Sequence, residues 1–499
     1  MLRRRWPIQG TGTGAADERA RSMNEGLLHR LRDPLWLAGT ALATVAAALV
    51  LAHRPWLAMG ATFGGFLFLV LLVRPLVLIG VLLAIGAVDL SFITGGPKAL
   101  LPGLGGLDMN GIRLVGLVGG VTLLTVLDRR LQRWVFGPEG RWYVLFLAFA
   151  GATLAFSPSP VEGLRLLFKL AYPFVVFIAV CGLVRTRADL ERIGDGVLLA
   201  AAVLTLVVVP IHVMSGGYVV DARGDLHVNA PGLDHNPFAF YLLAMLLLAY
   251  ARYSARGEVR YLVLGGVFAV WIALTLSRTT LGGAIAGLVG AGAFGAVVAR
   301  NYRALFGTAV LAAAVAVPLL PAALERSFGY IPSLGELWSL ARDPAALYGE
   351  IYWAGRESFW PIVFRAFLTS PIIGLGLGAS TAVLVRNTPS SWADVVHNEY
   401  LRLATDTGVI GVALFAVAIL VWWRAVVRAA RTGDELAREY ALPAFAGIVA
   451  WAVVSFPGNA FDYYAPFTQY IGFFCAGAVA AARLAREEGE EGEEAHGAA

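Results

Sequence analysis

Runs of about 15 to 23 apolar residues recur along almost the whole chain, each parted from the next by a short polar or arginine-bearing stretch. Wound as helix, a run of that length crosses roughly 30 Å of hydrocarbon. The pattern predicts fourteen spans, at 35–52, 56–73, 75–90, 112–127, 142–156, 164–184, 193–213, 237–250, 261–276, 281–298, 304–320, 397–423, 440–454 and 467–482. The second and third are close enough to form one interrupted span or a re-entrant pair, which sets twelve as the lower count. The expected fold is all-α: a polytopic integral membrane helical bundle of 12–14 transmembrane helices with one large, partly helical external loop.

Composition agrees with that reading. Hydrophobic residues make up 58% of the 499 positions and charged residues only 15%, and the mean hydropathy is +0.70; a soluble surface needs more charge than this. Arginines then set the orientation, because cytoplasmic loops retain positive charge. Arg3, Arg4, Arg5, Arg30 and Arg32 precede the first span, and Arg129, Arg185, Arg252, Arg300 and Arg424 open basic loops on the same side under a fourteen-span count. The net charge of +5 is accounted for by these topology-setting residues, so it does not indicate a nucleic-acid partner.

The chain divides into five segments: a cytoplasmic N-terminal segment at 1–34, eleven spans over 35–320, a large external loop at 321–396, three spans over 397–484, and an acidic, disordered cytoplasmic tail at 485–499. No signal-peptide pattern precedes the first run, which is expected to stay uncleaved. Cys181 and Cys475 lie inside predicted spans as packing residues. The long loop holds Trp338, Trp353, Phe359, Trp360 and Phe367 at partly helical spacing, which suits helices lying on the outer bilayer face, as a cap or as a lid over a substrate.

Candidate chemistry collects on that side. Val396-His397-Asn398-Glu399-Tyr400-Leu401, followed by Gly408-Val409-Ile410-Gly411, puts an imidazole at the mouth of a membrane helix, where it can exchange a proton near neutral pH. Glu399 is either its orienting partner or a helix N-terminal charge favoured by the macrodipole. Ser277-Arg278 separates two apolar helices with almost no loop; the guanidinium there either snorkels to headgroups or forks onto phosphate oxygens. Arg165 and Lys169, four apart, share one helix face in the outer third of the bilayer, where each charge costs roughly 2.5 to 3.5 kcal/mol unless it is paired, snorkels or faces a polar cavity. His227, Asp234 and His235 lack metal-ligand spacing, so no metal and no cofactor is expected.

In order along the chain, Gly232-Leu233-Asp234-His235-Asn236-Pro237, Ser277-Arg278, Pro371-Ile372-Ile373-Gly374-Leu375-Gly376-Leu377-Gly378 and His397-Asn398-Glu399-Tyr400-Leu401 resemble the O-antigen ligase and polymerase superfamily over roughly 221–423. That resemblance implies a membrane glycosyltransferase in the bacterial inner membrane. It would move a glycan from undecaprenyl diphosphate to an acceptor sugar hydroxyl at the periplasmic face, in the synthesis of lipopolysaccharide or exopolysaccharide, without a metal. By the same resemblance His397 is the general base and Arg278 a catalytic clamp. Arg223, nine positions ahead of Gly232, and Arg356 in Gly355-Arg356-Glu357 match loop arginines. With Arg165 and Lys169 they form the expected donor-diphosphate set. The partners implied are the lipid-linked donor, a glycan or lipid-core acceptor and the bilayer. A polymerase or a protein O-glycosyltransferase of the same superfamily shares the donor chemistry. From other classes, a lipid-linked sugar flippase or permease predicts repeated halves, which the sequence lacks, and an envelope-assembly scaffold predicts no need for His397 or Arg278.

Overall fold

The computed structural model describes residues 74–86, 109–220, 226–298, 302–352, 356–388 and 395–497. The chain divides into two compact units, Met1–Phe63 and Gly64–Ala499. The first lies outside the described residues, as do the N-terminal segment and the predicted spans at 35–52 and 56–73.

The second unit is a polytopic helical membrane protein. Its helices are α1 (Pro75–Ala84), α2 (Met109–Leu127), α3 (Arg129–Phe136), α4 (Arg141–Ala152), α5 (Pro160–Leu183), α6 (Arg187–Met214), α7 (His235–Arg256), α8 (Val259–Thr275), α9 (Arg278–Val297) and α10 (Tyr302–Phe328). Four short helices follow, α11 (Leu334–Arg342), α12 (Pro344–Glu350), α13 (Arg356–Thr369) and α14 (Ala379–Asn387), then α15 (Glu399–Thr432), α16 (Glu435–Val454) and α17 (Gln469–Gly497). Among the described residues seven helices are long and apolar enough to cross a membrane, and five shorter apolar helices accompany them. One small antiparallel hairpin pairs β1 (Tyr218–Val220) with β2 (Leu226–Val228).

Burial orders the bundle. The apolar windows of α7 and of the segment Tyr464–Glu491 are each 94% buried, so these two helices form its centre, with α16 packed against both. The windows of α6 and α15 are only 28% and 33% buried. Their outward residues, such as Leu199, Leu206, Ile211 and Leu420, are the apolar surface a bilayer accommodates. Within α6 a π-helical turn at Leu204–Val208 loosens the backbone, and the Trp271 indole donates to the Thr205 carbonyl at 3.0 Å.

At one end of the bundle, the C-terminal part of α7 meets the first turns of α16. Arg252, fully buried, bridges Glu439 at 2.5 Å and Asp195 at 3.3 Å, and Arg256 bonds the second Glu439 oxygen at 3.0 Å. A buried charge is tolerated only when paired in this way. The opposite end, where α7, α9 and α15 begin, carries the candidate site.

Three sequence expectations change. The external loop does not start at residue 321: α10 runs through Pro318 and Pro321 to Phe328, since a membrane helix tolerates proline where neighbours re-satisfy the freed backbone groups. The span drawn at 397–423 starts two residues later, because His397 has a positive φ of 52° that no helix accepts, and it extends to Thr432. The acidic tail is not irregular over its described part: α17 continues to Gly497. Arg483 reaches Glu487 at 3.7 Å one turn on, and Arg187 reaches Glu488 at 3.0 Å, so the glutamates are drawn into helix by nearby cations.

Candidate functional site

Helix starts assemble this end of the molecule. Asp234 caps α7, its carboxylate accepting from the His235 amide at 2.9 Å, and Asn398 caps α15 by accepting from the Leu401 amide at 2.9 Å. Ser277 precedes α9 without capping it; its hydroxyl donates instead to Asn236 Oδ1 at 2.8 Å. The Asn-Pro and Ser-Arg motifs, 41 residues apart, are thus one tertiary contact. The positive ends of several helix dipoles consequently gather on one side.

The glycine-rich turn before His397 is strapped to α15. The amides of Gly378 and Ser380 donate to the two Asp406 carboxylate oxygens at 2.9 and 2.7 Å, and Leu375 and Gly376 donate to the carbonyls of Thr405 and Asp406. The turn packs too closely for side chains: a Cβ at Gly376 would stand 2.5 Å from the Ser157 backbone, and one at Gly378 the same distance from the Gly163 amide. Gly408, with φ 65°, breaks α15 and lets Val409 and Ile410 donate to the carbonyls of Pro371 and Ile372.

Above this strap sits His397. Trp360 of α13 donates its indole N–H to the Val396 carbonyl at 3.0 Å, and Trp360, Val363, Leu384 and Val396 form a small buried core that holds the segment. The ring Nδ1 lies 2.9 Å from Nδ2 of Asn459, in the loop between α16 and α17. Burial first, then the charges of Arg356 and Arg402, disfavour the imidazolium; Asp462 opposes them only in part, and the ring is pushed down to about 4. His397 is therefore neutral at physiological pH.

Charges surround it in a connected set. Asp462 accepts from Lys169 at 2.6 Å and from Arg402 at 3.0 Å. Its burial alone would raise its pKa, but these two cations hold the carboxyl far below its ordinary range. Glu399 lies 3.6 Å from Arg402 and accepts from the Phe461 amide at 2.9 Å, so it anchors the 455–463 loop. The Tyr463 ring packs tilted against Phe240 of α7 at 4.7 Å, and the phenol is raised by burial and by Asp462 and Asp234. Lys169 and Arg402 flank Asp462, Arg402 also faces Glu399 and Asp406, and the charge of Arg356 acts on His397, so cations and carboxyls alternate around the ring.

Arg278 opens α9 at the same end. Its Nη1 donates to the carbonyls of Arg326 and Tyr352 at 3.0 and 3.1 Å, and its guanidinium sits 5.8 Å over the Tyr352 ring. A Cβ at Gly458 would stand 3.1 Å from Thr279 Cγ2, so the start of α9 abuts the loop carrying Asn459 and its contact with His397. His227 turns Nδ1 to the Thr275 carbonyl at 3.0 Å and Nε2 to Arg326 at 3.5 Å, with the His235 ring 4.5 Å away. Among the described residues no three His, Cys, Asp or Glu side chains converge as a metal site.

His397, Arg356 and Lys169 thus share one cluster, with Arg278 beside it. Arg165, one turn before Lys169 on α5, pairs with Glu162 at 2.5 Å and is a third exposed. Arg223 lies outside the described residues. Sequence reading passed over Arg402, Asp406, Asn459 and Asp462. Asn459 and Asp462 sit in Ser455-Phe456-Pro457-Gly458-Asn459-Ala460-Phe461-Asp462, a polar interruption between two spans, and that interruption was the available signal.

Residues 261–416 match the family model described as O-antigen ligase, a segment that runs from α8 through the strapped glycine turn and His397 into the kinked α15. No curated protein matches the chain at a significant level. The match over that segment, carried on a many-helix membrane bundle, supports a likeness to the O-antigen ligase and polymerase superfamily over residues 261–416 of the 499.

Proposed function

We propose that the chain is a membrane glycosyltransferase that takes a glycan from a polyprenyl diphosphate, of the undecaprenyl kind, and joins it to an acceptor sugar hydroxyl at the periplasmic face of the inner membrane. The observation that carries this reading is a neutral imidazole held beside Arg356, Arg402 and the Lys169–Asp462 pair at one rim of the bundle. A sugar hydroxyl is a poor nucleophile, and a neutral histidine can take its proton as attack proceeds, a contribution of about 10² to 10⁴ fold. The acceptor oxygen bonds to the anomeric carbon while the bond from that carbon to the phosphate oxygen breaks. The electron pair leaves with the diphosphate, and the hydroxyl proton passes to His397.

Arg278, Arg356 and Lys169 are the proposed electrostatic partners of the departing diphosphate, with Arg223 the expected fourth. Fixed cations in a site shielded from water stabilise charge as it develops and need no reorganisation. Asp462 holds Lys169 and Arg402 in place and stabilises the imidazolium once formed. Arg165, one turn before Lys169 on α5 and paired with Glu162, is the proposed outer member of that set.

The test is transfer from a defined undecaprenyl-diphosphate glycan by the full chain in nanodiscs, with lipid-core acceptor in one arm and further lipid-linked repeats in the other. A single product on the core identifies a ligase; a ladder of lengthening products identifies a polymerase. His397→Ala is expected to abolish either. Turnover at the wild-type rate in that variant would remove the proposed base.

A further inference from the structure

Asn459 can meet His397 in two ways. Its side chain is only 5% exposed, and Nδ2 faces His397 Nδ1 at 2.9 Å while Oδ1 is buried with no hydrogen-bond partner among the described residues. A buried amide oxygen without a partner costs about 1 to 3 kcal/mol. If Nδ2 donates to Nδ1, the ring must carry its proton on Nε2, which leaves no lone pair there to accept another. Rotating the amide by half a turn reverses both roles: Oδ1 accepts from Nδ1–H, and Nε2 becomes the free base. Nitrogen and oxygen of an amide are told apart by such bonding arguments alone.

We propose that Asn459 is a positioning residue for His397, presenting Oδ1 to Nδ1–H so that the reactive ring keeps a free Nε2 for the acceptor hydroxyl's proton. This rests on His397 being the general base. The geometry fixes the pairing of ring and amide independently of that role. The loop carrying Asn459 is fixed at both ends, by Glu399 N–H to the Ser455 carbonyl at 2.8 Å and by Phe461 N–H to Glu399 at 2.9 Å. Between them, the Asp462 amide donates to the Asn459 carbonyl at 3.0 Å. The backbone of His397 is equally constrained, held in the left-handed region at φ 52° between the Trp360 bond to Val396 and the Asn398 cap. Ring and amide therefore face each other from two anchored segments, and the tautomer is set by a partner 62 residues away. An amide suits this better than a carboxylate: it fixes the tautomer and adds no charge, whereas a second acid beside Asp462 would favour the imidazolium.

The experiment combines turnover with nitrogen-15 NMR of ring-labelled histidine in the full chain in nanodiscs, the His397 signals being identified by their loss in His397→Gln. Wild type is expected to carry its proton on Nδ1. Asn459→Ala is expected to mix the tautomers and to lower kcat by about 10- to 100-fold with KM little changed. Asn459→Asp, which also accepts from Nδ1–H, is expected to restore most of kcat and to move the acid limb of kcat/KM upward. A ring protonated on Nε2 in wild type with and without donor overturns the proposal. So does an Asn459→Ala enzyme with unchanged kcat, or a loss that Asn459→Asp fails to recover while it folds normally. If His397→Gln turns over like wild type, the general-base reading itself falls; if that variant is inactive and Asn459→Ala is not impaired, only the role of Asn459 falls.

Discussion

At the residue scale, His397 is an imidazole whose protonation is suppressed by its surroundings. Its pKa near 4 in the free protein predicts that kcat/KM, which reports the unliganded enzyme, stays level from neutral pH down to about 4 and falls below it as the ring protonates. A bound diphosphate would offset the repulsion from Arg356, so the acid limb of kcat is expected at higher pH than that of kcat/KM. Coincident limbs would show that no anion approaches the ring. For Arg278 the expected order of loss is Ala greater than Lys, because lysine keeps the charge and loses the fork; equal losses would mark a strict need for the fork, and no loss in either would return this residue to a headgroup contact. Both residues stood out in the sequence because an ionisable group against a long apolar run is conspicuous. Asn459 did not: an amide in a short loop is ordinary until folding brings it to an imidazole.

At the element scale, the strap between the glycine-rich turn and α15 sets where His397 stands. Asp406→Ala deletes acceptors for two buried amides and should cost about 2 to 4 kcal/mol, read as a lower melting temperature together with weaker transfer. Trp360→Phe keeps the ring in the core and removes the bond to the Val396 carbonyl, so kcat is expected to fall with little change in melting temperature. If the two fall together, the indole only stabilises the fold. The glycine turn was legible as close packing, since three glycines alternating with leucine and isoleucine imply backbone contact. Its partner was not, because Asp406 reads as one more polar residue until the kink at Gly408 turns it towards residues 378–380. Helix ends in the outer region were misplaced for a related reason: Pro321 is a breaker in water, while in a packed membrane bundle α10 continues past it.

For the whole molecule, apolar periodicity carried most of the information. From α1 to α17, each predicted span within the described residues coincides with a helix, because hydrocarbon leaves the backbone few alternatives. Which helices sit at the centre was not readable. α6 is more apolar than α7, with a hydropathy of 2.6 against 1.5, yet α7 is the buried one: facing lipid and facing protein both call for apolar side chains. The ionic knot of Arg252, Arg256 and Glu439 lies about 26 Å along α7 from His235, by the rise of a helix over those residues. Removing one partner of such a knot strands the others, so Glu439→Gln is expected to cost about 3 to 5 kcal/mol and to lower melting temperature whatever the acceptor. Clamped at that foot, the bundle resembles a pair of tongs riveted at one end. The rivet keeps the helices in register at that end. Hydrogen exchange should accordingly be slowest around residues 250–256 and 437–443.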